Sequence, residues 1–127
     1  MLFSTITINY HLSTINCETQ FRKLSSQWGI SMPNVVFIFV LSKQLLRSGT
    51  AIGALVREGV HAQSRADFLN KMNIALKEAY ETEYWISLLH DTDYFSEDIY
   101  SSIHADSVEL VKLLTSTVKT LKDSLGK

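Results

Sequence analysis

Cysteine and proline each occur once in these 127 residues, as Cys17 and Pro33, and glycine occurs five times. A single thiol excludes an internal disulfide framework and fits a reducing compartment. No histidine or cationic cluster adjoins Cys17 to activate it, so it reads as a small buried or idle group rather than a nucleophile. The few glycines form no Rossmann pattern, Walker loop or nucleophile elbow. Long apolar runs are missing too. The longest, Val35 to Leu41, is far short of the roughly 20 residues that span a bilayer, and the N-terminus lacks the regions of a secretory signal. The expectation is a cytoplasmic chain with no membrane partner. The four histidines, His11, His61, His90 and His104, contain no pair at the i, i+4 spacing that binds zinc. His90 with Asp91 and Asp93 could form a weak cation site, but a solvated helix end and turn is much the stronger reading. No metal, cofactor or enzymatic activity is expected.

What is present is hydrophobic patterning and an uneven charge. Hydrophobic residues make up 46% and charged ones 20%, at a net charge of −1. That balance describes one globular domain with no whole-molecule field steering it toward nucleic acid. Locally the picture differs. Residues 41–66 hold Lys43, Arg47, Arg57 and Arg65 against Glu58 alone, whereas acids outnumber bases beyond residue 66.

From Val36 the apolar spacing is helical. At about 100° per residue, Leu41, Leu45, Ile52, Leu55 and Val56 share a sector, with Lys43, Arg47, Thr50, Ala54, Arg57 and His61 opposite. Ser64 is placed to cap a second helix running to about His90. That helix has two apolar sectors: Phe68, Met72, Ala75, Ala79 and Ile86, then Ile74, Trp85, Leu88 and Leu89. Such coverage predicts a central helix or a subunit interface. After the polar-aromatic turn of residues 91–95, Ser96 caps a third helix. Its Ile99, Ile103, Leu110, Leu114, Val118, Leu121 and Leu125 trace a bundle seam, and Gly126 ends it. Gly49 and Gly53, four apart on the first of these helices, suit close helix–helix approach better than a phosphate cradle. Glu78 and Glu81 fall on a polar side. Glu83 falls in an apolar sector and predicts an ion pair with Arg47 or Arg57.

Residues 1–34 follow another rule. Thr5 to Leu12 alternates apolar and polar like a strand, and Trp28 to Asn34 reads as loop. The segment is an atypical start before a helix-bundle domain at 35–127, as an altered reading frame or initiation site would produce.

The run Gln44-Leu45-Leu46-Arg47-Ser48-Gly49-Thr50-Ala51-Ile52-Gly53, then Arg57-Glu58-Gly59, Phe68 through Trp85 and Glu109 through Leu114, closely resembles the bacterial four helix bundle protein family. That group comprises rRNA intervening-sequence proteins and the accessory variability protein of diversity-generating retroelements. The resemblance spans about residues 39–125. It implies an all-α antiparallel bundle, here with the first helix replaced or distorted. It also implies a ring-like homo-oligomer, pentameric in characterised members, whose basic surface contacts RNA or DNA and, in retroelement systems, a reverse transcriptase. Arg47 and Arg57 match the family pattern, and Lys43 and Arg65 add charge. Leu55 stands where the family often places Asn. The oligomer and packing candidates are Gly49, Gly53, Phe68, Trp85, Leu88 and Leu89. Two functions follow as expectations: a non-enzymatic accessory protein that binds nucleic-acid backbone through the basic helix face, or a protein–protein scaffold built on the apolar faces alone.

Overall fold

In the computed structural model, residues 34–126 are described, and they form three α-helices in sequence order: α1 (Asn34–Val60), α2 (Arg65–Asp91) and α3 (Glu97–Ser124). No strand occurs among the described residues, and the architecture is an all-α antiparallel bundle. The strand pattern of residues 5–12, the loop of residues 28–33 and Cys17 lie outside them. Asn34, read from the sequence as loop, opens α1 instead, a one-residue shift of the kind helix boundaries show.

The helix ends follow from the residues at them. Ser64 has an extended backbone, and its side chain accepts a hydrogen bond from the Asp67 amide. Asp67 Oδ2 in turn accepts from the amide of Gln63, the residue before the cap, at 3.2 Å, so the first turn is tied back to the chain that enters it. Ser96 does the same for Ile99 at the start of α3, where Glu97 and Asp98 add negative charge at the positive end of the helix dipole. Gly126, at φ +67°, takes the left-handed conformation that closes α3. With residues 61–64 and 92–96 as short connections, consecutive helices fold back on each other and pack antiparallel.

The middle helix, α2, packs on both neighbours, while α1 and α3 share no Cα pair within 8 Å. Met72, Ala75 and Ala79 of its predicted first sector, together with Leu69, which the sequence reading left out, form the main core with Ile52 of α1 and Leu114, Val118 and Leu121 of α3, all of them buried. The second sector is covered within the chain at the other end of the bundle. Leu88 and Leu89 are buried against Leu41, with Leu45, Trp85, Tyr94 and Phe95 packed around them. Tyr94 and Phe95 belong to the α2–α3 turn, which folds back so that both amides donate to the Leu89 carbonyl, at 2.9 and 3.1 Å. Asp93 adopts φ +61° to allow it, a conformation Asp tolerates better than most residues.

Leu89 retains 1% of its accessible surface, so Leu89→Ala should lower unfolding stability by about 2–5 kcal/mol. A Cβ at Gly59 would lie 2.7 Å from Met72 Cε and 3.0 Å from the Phe68 ring, so Gly59→Val should cost about 1–3 kcal/mol by overpacking. Urea denaturation checks both, as a lower midpoint at unchanged slope.

Candidate nucleic-acid interface

Helix α1 presents the basic stripe, but its cations have two different fates. Arg47 reaches across to α2. One guanidinium nitrogen hydrogen-bonds Glu81 Oε1, another lies 3.5 Å from Glu78 Oε2, and its Nε donates to Gln44 at 3.2 Å. Trp85 Nε1 donates to the same Glu81 oxygen at 3.1 Å. The hydrogen bond to Glu81 is the chief reason the Arg47 pKa is raised. Reciprocally, the Glu81 carboxyl is held below the ordinary carboxylate range by the Arg47 hydrogen bond first and the Trp85 one second. Glu78 Oε2 is buried and makes no hydrogen bond, so the Arg47 charge is what compensates it.

Glu83 does not take part. The ion pair expected between it and Arg47 or Arg57 is not formed, and its carboxylate lies 3.5 Å from His104 of α3. The reason is rotational: α1 lies on the side of α2 that carries Glu78 and Glu81, and α3 lies on the side that carries Glu83. His104 belongs to a stack in which Tyr100 lies between the two imidazoles, 4.0 Å from His90 and 4.8 Å from His104 by ring centroids. His90 Nε2 also contacts Glu97 at 2.9 Å, and Nδ1 lies 3.6 Å from Asp91. These contacts knit the end of α2 to the start of α3. Among the described residues no group of three or more His, Cys, Asp or Glu could hold a metal ion.

Lys43, Arg57 and Arg65 behave differently from Arg47. All three are exposed, and none makes an ion pair among the described residues. Glu58, the acid of α1, is held by Lys71 of α2 at 2.7 Å, so it does not neutralise Arg57 next to it. Arg57 and Arg65 bracket the α1–α2 turn together with exposed His61, while Lys43 stands about 21 Å back along α1 at 1.5 Å per residue. Of the four candidate cations, three are exposed without an ion pair among the described residues and one, Arg47, is committed to the fold.

The packing candidates separate in the same way. Phe68 and Trp85 are half-buried, and Leu88 and Leu89 are buried. Gly49 is exposed, its nearest neighbour being Thr82 Cγ2 at 4.0 Å from an added Cβ. Gly53 is exposed and would meet nothing within 4 Å. The close approach of α1 to α2 falls instead at Gly59 and at Ser48, a fully buried residue whose hydroxyl is 3.0 Å from Thr82 Oγ1 and 3.1 Å from the Gln44 carbonyl. The sequence reading missed both. The signal for Ser48 was available: it lies seven residues from Leu41 and four from Ile52, on their face of the helix.

The sequence model of the 23S rRNA-intervening sequence protein family matches residues 15–116. Among solved structures the chain is similar to a protein of unknown function from the S23 ribosomal protein family of Bacteroides thetaiotaomicron. The two share 47% identity over 87% of this chain and 96% of that one, with a TM-score of 0.62. No curated protein matches the chain. The fold is that of a helical-bundle protein, and the match over most of the length places it within a family: the chain belongs to the 23S rRNA-intervening sequence proteins.

The sign of one pH effect follows from Glu81. A carboxyl whose pKa is depressed by folding adds stability above its unfolded value, and that stability is lost as pH falls through the folded one. Wild-type protein should therefore lose stability on acidification below about the ordinary 4.5. The Glu81→Gln melting temperature should lie below wild type at neutral pH, with the gap closing in acid. A gap independent of pH in thermal melts would refute the pairing. Arg47→Gln should destabilise more than Glu81→Gln, because it leaves two carboxylates without their cation.

Proposed function

We propose that this is a cytoplasmic, non-enzymatic accessory protein, assembled as a homo-oligomer, that binds the RNA or DNA backbone through the cations of α1 and the α1–α2 turn. The observation that carries the reading is the freedom of Lys43, Arg57 and Arg65, exposed and unpaired among the described residues, with Glu58 beside Arg57 held by Lys71. Cations in that state contact phosphates at little cost and release counterions on doing so. Family membership supports RNA as the first ligand to test, with DNA as the comparison. Among these three cations no exposed aromatic platform is interleaved, so recognition is of backbone and shape rather than of base sequence. A reverse transcriptase belongs to the same proposal as a partner, on the family resemblance alone.

The scaffold reading also has an observation in its favour. Phe39, Leu46, Val56 and Val60 are exposed on α1, and apolar surface of that extent suits a protein partner. Salt separates the two readings, since phosphate contacts weaken with ionic strength and apolar ones do not.

Converting Lys43, Arg57 and Arg65 to Gln preserves helix propensity and removes up to three phosphate contacts. Affinity for unrelated RNA sequences should fall alike, and the slope of log K against log salt should become shallower by about two to three units. Fluorescence anisotropy across a salt series measures it. A folded triple mutant with wild-type affinity would overturn the assignment, and a wild type that binds neither RNA nor DNA at low salt would give the case to the scaffold.

A further inference from the structure

The bundle neutralises its interhelical acids in two different ways. Between α1 and α2 the cations are permanent: Arg47 serves Glu78 and Glu81, and Lys71 serves Glu58. Between α2 and α3 they are conditional. Glu83 of α2 meets His104 of α3 at 3.5 Å, and Glu97 of α3 meets His90 of α2 at 2.9 Å. Each helix thus gives the seam one acid and one imidazole. Among the described residues, neither carboxylate has a lysine or arginine within ion-pair distance.

A neutral imidazole donates at one nitrogen and accepts at the other, whereas the imidazolium donates at both and carries a full charge. His90 has an acid near each nitrogen, Glu97 at Nε2 and Asp91 3.6 Å from Nδ1. A neutral ring can offer a proton to only one of them. His90 also lies in the last turn of α2, where the helix dipole favours a cation. It stacks on Tyr100 with the ring planes 16° apart, so a protonated ring faces the π cloud. His104 approaches the same tyrosine at 4.8 Å. Two effects oppose the charged form: partial burial of both rings and repulsion between them. Each imidazole is nearer to its own carboxylate than to the other imidazole, from which Tyr100 separates it, so attraction exceeds repulsion. The titratable groups that face the two rings are Glu83 and Asp91 from α2, and Glu97 and Tyr100 from α3. Helix α1 adds no ion pair to either ring among the described residues.

We infer that protonated His90 and His104 clamp α3 onto α2, which makes the α2–α3 seam sensitive to pH near neutrality while the α1–α2 seam is not. The clamp brackets the turn whose Tyr94 and Phe95 pack against Leu88 and Leu89, so deprotonation loosens that end of the bundle first. Its contribution to stability is present below the ordinary imidazole value of about 6.5 and is lost as pH rises through the titration. This window lies well above the one in which Glu81 acts.

The experiment is urea unfolding of the full chain at pH 6 and pH 8, in low salt. The wild-type unfolding constant should be about three- to tenfold larger at pH 8, the range expected of two partly exposed ion pairs. His90→Gln/His104→Gln should abolish that ratio, with its deficit against wild type concentrated at pH 6. Glu83→Gln/Glu97→Gln leaves both imidazoles and Tyr100 in place and should abolish the ratio too, so the test survives if loss of the ring stack unfolds the first variant. Glu81→Gln, which alters only the α1–α2 seam, should retain the ratio, and high salt should shrink it. A wild-type unfolding constant that is equal at the two pH values would overturn the inference. So would a ratio that persists in the glutamate variant, since the titrating group would then lie elsewhere, as at His11 or His61.

Discussion

Everything in this fold depends on α2 being thin where it matters. Ala75 and Ala79 are fully buried at the centre of the helix, and their short side chains leave space that Ile52 enters from one side and Leu114 and Val118 from the other. A larger residue at either position would push a flanking helix outward and open voids on both sides at once, because interiors at crystal-like density absorb little change in volume. The orientation of α2 then sets the rest. It directs Glu78 and Glu81 toward α1 and Glu83 toward α3, which decides which cation each carboxylate meets.

That division explains why one of four neighbouring cations is structural. Arg47 emerges beside the Glu78–Glu81 pair and satisfies two acids that would otherwise repel each other in a partly desolvated seam. Lys43 and Arg57, a turn or more away along α1, pair with no acid among the described residues, and Glu58 of their own helix is held by Lys71. The free cations and the committed one are products of the same packing, and a substitution that rotated α2 would change the role of each.

How much of this could be read in the sequence varies from one kind of feature to another. The helix limits were legible because capping is local: Ser64, Ser96 and Gly126 act on amides and carbonyls within a few residues. The core faces were legible because burial follows the 3.6-residue period. Pairings between helices were not, since a wheel gives the face a residue occupies but not which neighbour that face meets, and so Glu83 was assigned to the wrong helix. Glycines differ from one another for a related reason. Gly53 and Gly59 are alike in sequence, and only the position of Phe68 and Met72 makes one a tight contact and the other open surface. The turn aromatics Tyr94 and Phe95 were read as polar-aromatic punctuation, whereas they close the second core cluster over Leu88 and Leu89.

Among the described residues, helix pairing occurs between sequence neighbours alone, α1 with α2 and α2 with α3. The loops to be closed are therefore short, and little chain entropy is lost before contacts repay it. Topologies of this kind fold in roughly microseconds to milliseconds. The α1–α2 hairpin, with its Arg47 network, can also form while α3 is still being synthesised. The order of the helices along the chain is in this way an order of assembly in time.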